Sequence, residues 1–88
     1  MQNYLKKIPE GYSEGIYNKN KYGITKTIFN NGRSIKLYAE ELGGTDFISL
    51  NYYITKTKDL LKPCEMPEAK VIDFVKSVVL LTNEKNNP

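Results

Sequence analysis

From Tyr22 onward the chain alternates between apolar and polar residues at a period of two, then switches to a period near 3.6 after Pro67. Tyr22 to Phe29 is dense in β-branched and aromatic residues, a composition that suits a pleated surface. Asn30-Asn31-Gly32 follows, and Asn-Gly takes the positive φ angles of a type I′ hairpin turn. Ser34 to Glu40 then alternates, with Ile35, Leu37 and Ala39 on one side and Ser34, Lys36, Tyr38 and Glu40 on the other. Leu42 to Asp46 reads as a second turn. Phe47 to Thr55 is the longest strand candidate, with Ile48, Leu50, Tyr52 and Ile54 forming its apolar side. Leu60 to Cys64 adds a short edge strand, a place that tolerates the missing N–H of Pro63. Gly15 to Asn18 is a further short-strand candidate, and Asn18 to Lys21 is polar and turn-prone.

The pattern predicts a helix opening near Met66, with Pro67 at its first position, where a missing N–H costs little. At about 100° per residue, Val71, Ile72, Phe74, Val75, Val78, Val79 and Leu81 share half the circumference, and Leu80 falls on the wrong side. So wide an arc covers a sheet and leaves apolar surface for a second partner, which makes a homodimer through the helix an expectation. The fold class expected is therefore α+β: an antiparallel sheet of three to five strands with one C-terminal helix on its apolar face. Residues 1–14 read as an irregular N-terminal arm, 15–82 as a single domain and 83–88 as a frayed tail.

Length and composition sharpen this. Eighty-eight residues make one domain with a modest core, and seven Tyr and three Phe add burial. A single cysteine, Cys64, forms no intrachain disulfide and fits a reducing cytoplasm. The first ten residues hold no apolar run, so no leader is expected. The longest apolar run, Val78 to Leu81, is too short to span a membrane. With no histidine, His-based acid–base catalysis and His–metal ligation are excluded, and no cofactor is expected.

The formal charge of +3 says little by itself, but its placement says more. Residues 15–39 carry Lys19, Lys21, Lys26, Arg33 and Lys36 and no acid. Lysines interleaved with aromatics suit single-stranded nucleic acid, because lysines meet phosphates while bases stack on rings. Lys26, Arg33 and Lys36 are the expected phosphate contacts, and Tyr38 and Tyr53 the stacking platforms. The same face could equally be solvated, be covered by the arm, or be a dimer surface. A protein-interaction or regulatory subunit, using that face or the arc around Phe74 and Leu81, is the alternative.

Cys64 is the chemically distinctive side chain. The following helix and Lys62 favour a thiolate and Glu65 opposes it, but there is neither a resolving cysteine nor a histidine base. A small buried hydrophobe is the plainer reading. Glu40, Glu41 and Asp46 would make a cation site only if the strand ended before Glu41, and a solvated turn is the plainer reading. Leu42-Gly43-Gly44 lacks the longer glycine pattern and the lysine of a phosphate-binding loop.

Three segments carry a resemblance: Ile8 to Tyr12, Tyr38 to Ser49 and Lys62 to Pro67. Together they resemble a family of short uncharacterised bacterial proteins, some of which carry the label peptide methionine sulfoxide reductase. That label implies a thiol enzyme using Cys64. Known reductases place the cysteine in a glycine- and aromatic-rich loop, or partner it with a separate metal-binding or resolving set, and neither pattern surrounds Cys64. The order of strands and helix is also similar to single-stranded-DNA-binding transcriptional coactivators and Whirly proteins, which share a ββββα unit that dimerises through its helix. That similarity implies single-stranded DNA or RNA as ligand.

Overall fold

Four hairpin turns and one glycine set the architecture. The computed structural model describes residues 1–81, so the tail expected to fray over 83–88 lies outside them. Strand β1 (Gly11–Tyr17) turns into β2 (Asn20–Phe29) through Asn18 and Lys19, both at positive φ, the signature of a two-residue type I′ turn. Strand β3 (Ser34–Glu41) follows a four-residue loop in which Asn31 and Gly32 sit at φ 56° and 87°, and Arg33 N–H donates to the Asn30 carbonyl at 3.1 Å. The Asn-Gly turn thus takes the backbone its sequence predicts, with one loop residue added on each side. Strand β4 (Phe47–Ile54) follows the Leu42 to Asp46 turn, and β5 (Asp59–Pro63) lies at the edge, where Pro63 needs no ladder donor.

All neighbouring strands pair antiparallel, in the order β5-β4-β3-β2-β1-β6. Short helix α1 (Gln2–Lys6) and helix α2 (Glu68–Ser77) contact each other, and α2 also contacts β4 and β5. The core holds Ile24, Leu37, Ala39, Ile48 and Leu50 from the strands and Val71, Phe74 and Val75 from α2, all wholly buried. Tyr17, Tyr22 and Phe74 pack edge to face with centroids 4.9–5.7 Å apart. Three buried tyrosines pass their hydroxyls to carboxylates at the core margin: Tyr17 to Asp73, Tyr22 to Asp46 at 2.7 Å, and Tyr52 to Asp59. Each satisfies its polar end while the ring stays dry.

Three expectations are corrected. The helix begins one residue later, with Pro67 extended at the cap and Glu68 as its first residue. It also ends at Ser77, and Val79–Leu80 forms β6, which pairs with Gly15 and Ile16 of β1. Gly15 permits this. A Cβ there would lie 2.8 Å from Val78 Cγ2 and 3.1 Å from the Val79 carbonyl, inside contact distance. Leu80, misplaced on a helical wheel, faces the core as a strand residue. The sheet therefore has six strands, and Phe74, in the middle of the expected apolar arc, is wholly buried within this chain, while Val79 and Leu81 stay exposed.

The third correction concerns the arm. Residues 1–14 contain α1 and the start of β1, and Leu5 and Ile8 are wholly buried. Lys26 holds that segment. It pairs with Leu37 on β3, points into the core and is only 6% exposed. Its ammonium donates to the Leu5 carbonyl, in the last turn of α1, and to the Ile8 carbonyl just beyond it, both at 2.7 Å. Burial lowers the Lys26 pKa, and Glu10 opposes that shift.

Candidate functional site

With both helices on one side, the other face of the sheet is open, and the strand register orders it into rows. Leu60, Tyr53, Ser34 and Phe29 form the first row, from β5 to β2. Lys62, Asn51, Lys36 and Thr27 form the second. The third runs Ser49, Tyr38, Thr25 and Tyr12, with Cys64 beside Ser49, whose carbonyl accepts the Cys64 N–H at 3.0 Å. The fourth runs Phe47, Glu40, Gly23 and Glu14. Alternation dictates these rows, because successive side chains on a strand face opposite ways.

The face is chemically polarised. The first two rows contain Lys36 and Lys62, the rings of Tyr53 and Phe29 (37% and 45% exposed), and no acid. Arg33 sits exposed in the β2–β3 turn at the same end, its carbonyl accepting the Ile54 N–H at 2.9 Å. Lys56 and Lys58 occupy the neighbouring β4–β5 turn. The fourth row carries Glu40 and Glu14 instead. Lys21 lies 3.8 Å from Glu14, and Tyr12 donates to Glu14 at 2.9 Å while its ring lies over Gly23. That hydrogen bond, then burial, then the charges of Glu14 and Glu40, raise the Tyr12 pKa.

Between the halves lies a shallow pocket of about 360 Å³ lined by Tyr38, Phe47, Ser49, Cys64 and Glu65. Tyr38 (40% exposed) and Phe47 stand with ring centroids 6.2 Å apart at 30°. Cys64 is half-buried, with Asn51 Nδ2 3.6 Å from its sulfur. The pocket lining contains no amine, imidazole or second thiol to take the Cys64 proton.

Of the residues singled out from sequence, Lys36, Tyr38 and Tyr53 share the open face, Arg33 borders it and Cys64 lies in its pocket. Lys26 does not belong to it, since the β2–β3 register turns it into the core. Lys62 and Phe29 join the face without having been singled out for it. The alternation of Leu61 and Pro63 around Lys62 could have signalled its side, but only once β5 was registered on β4. The acidic set does not converge: Glu40 and Glu41 lie on opposite faces of β3, and Asp46 accepts from Tyr22 and from Lys70 at 2.5 Å. Those two bonds hold the Asp46 pKa below its ordinary value. Among the described residues no three metal-ligating side chains cluster, and no helix is long and apolar enough to cross a membrane. Comparison of the chain with protein-family models, with curated proteins and with solved structures gives no match.

Proposed function

We propose that the protein binds single-stranded nucleic acid across the basic half of its open sheet face. The observation that carries this reading is the acid-free pair of rows in which Lys36 and Lys62 alternate with Tyr53 and Phe29. Lysines neutralise phosphates and exposed rings stack on unpaired bases, a combination that tolerates any sequence. Four strands at about 4.8 Å spacing give roughly 15–20 Å of platform, room for about three nucleotides. Arg33 would meet the backbone at the turn end, and Tyr38 would receive a base at the pocket. Binding is the activity proposed; the pocket lining beside Cys64 offers a carboxylate, Glu65, and no amine or imidazole.

The test is fluorescence anisotropy with short single-stranded DNA and RNA oligomers at two salt concentrations. Saturable binding that weakens steeply with salt is expected, because each neutralised phosphate releases counterions. Alanine at both Tyr38 and Tyr53 removes two stacking platforms worth about 1–3 kcal/mol each, so affinity should fall at least tenfold. Absence of binding at low salt, or indifference to the double substitution, defeats the proposal.

A further inference from the structure

The charge polarity of the open face has a symmetry that ligand binding does not require. On β3 the exposed residues run Lys36, Tyr38, Glu40, with opposite charges two positions either side of a central ring. The flanking residues in the Tyr38 row are Ser49 on β4 and Thr25 on β2, both small, so the Tyr38 ring stands clear of its row neighbours, beside the shallow pocket. From these positions we infer that the open face is self-complementary and that a second copy of this chain docks on it face to face. A two-fold axis midway between the two sheets and parallel to the Tyr38 row sets each Lys36 over the partner's Glu40. The same operation sets Asn51 over the partner's Phe47, and Thr27 over the partner's Gly23, where the Tyr12 ring lies. This is the isologous pattern, in which residue i meets j and j meets i. Two sheets stacked in this way pack about 10 Å apart with strands crossing near 30°, which the Tyr38, Phe47 and Tyr53 rings can span.

The size of the patch decides how strong the association is. Six residues along the strands and four strands across give a projected footprint of roughly 400 Å². That is about half of what each partner gives to a standard stable interface, so the dimer is weak and forms by mass action. Its surface overlaps the basic half of the face. Self-association therefore competes with the proposed nucleic-acid binding, and it stands or falls independently of that reading because it is measured on the protein alone.

The experiment is sedimentation velocity of the full chain over a wide range of protein concentration, at low and high salt. A monomer–dimer equilibrium that weakens with salt is expected. Lys36→Glu and Glu40→Lys each set like charges against one another twice per dimer, and each should weaken it on the order of tenfold. The double variant restores opposite pairing and should recover the dimer. Both positions are exposed, and unchanged melting temperatures would show that each variant is folded. A strictly monomeric protein, or a dimer indifferent to both substitutions, overturns the inference. Oligomer affinity separates the two proposals: Lys36→Glu lowers it, whereas Glu40→Lys raises it while weakening the dimer. If Glu40→Lys strengthens oligomer binding with no dimer to disrupt, nucleic acid is the occupant and the second copy is not.

Discussion

Replacing Lys26 by Met tests the least expected feature of the fold, a lysine used as an internal clasp. Methionine keeps the length and apolar burial of the side chain and removes the ammonium. Two charge-assisted hydrogen bonds to the Leu5 and Ile8 carbonyls, both 2.7 Å, disappear. Each is worth about 1.5–3 kcal/mol. Relief of the buried ammonium's desolvation returns part of that sum. The Leu5 carbonyl also accepts the Ile8 N–H at 3.2 Å, so it is not wholly stripped. A net loss of about 2 kcal/mol results. A domain of this length holds roughly 4–13 kcal/mol in total, so the loss is a large fraction. In thermal unfolding followed by circular dichroism, Tm should fall by about 8–16 °C. Amide exchange should show the loss concentrated in residues 1–8, and salt-dependent oligomer binding should keep its slope. A Tm drop below about 3 °C would refute the clasp. A slope reduced by about one unit would return Lys26 to the role of a phosphate contact.

Gly15→Ala forces a methyl group against Val78 and the Val79 carbonyl, so it should cost about 1–3 kcal/mol and strip exchange protection from the Leu81 amide, which bonds the Glu14 carbonyl at 2.9 Å. Unchanged protection there would show that β6 does not depend on the missing side chain. Alkaline titration followed by tyrosinate absorbance should find Tyr17 and Tyr52 protonated up to about pH 12 and Tyr22 also shifted upward, each chiefly by burial and then by its aspartate. Their contribution to stability is complete below pH 10 and disappears as pH rises toward 12, so full ionisation of all seven tyrosines near pH 10 without unfolding would contradict the packing. Acid works through Asp46, depressed first by its bond from Lys70 and then by Tyr22, and through Asp59, depressed by Tyr52 and then Gln2. Their stabilisation is present above the ordinary value of 3.8 and lost below it, so Tyr22→Phe should flatten the acid limb of a stability–pH profile.

What could be read from sequence was what alternation and turn chemistry encode. The apolar sides of β3 and β4, the Asn-Gly turn, the edge position of Pro63 and a helix after Pro67 need only local information. The failures share a cause, which is that tertiary contacts decided them. Val78 and Val79 satisfy a helical wheel as well as they satisfy a strand, and the deciding factor is Gly15, more than sixty residues earlier. Lys26 sits at an apolar-side position of β2, yet a lysine reads as exposed until α1 offers it two carbonyls. Leu5 and Ile8 fall in a stretch that no periodicity marks. On the open face, Lys36, Tyr38 and Tyr53 followed from alternation alone, whereas Lys62 and Phe29 required the register of β5 on β4 and of β2 on β3.

The most direct test of the central claim is an NMR titration of the isotopically labelled protein with a short single-stranded oligomer. The account predicts shifts that track binding at Thr27, Phe29, Lys36, Asn51, Tyr53 and Lys62, with Lys26, Asp46 and Lys70 on the helix side unmoved. Shifts confined to the helix side, or none at concentrations where the protein is folded and the oligomer in excess, would contradict it.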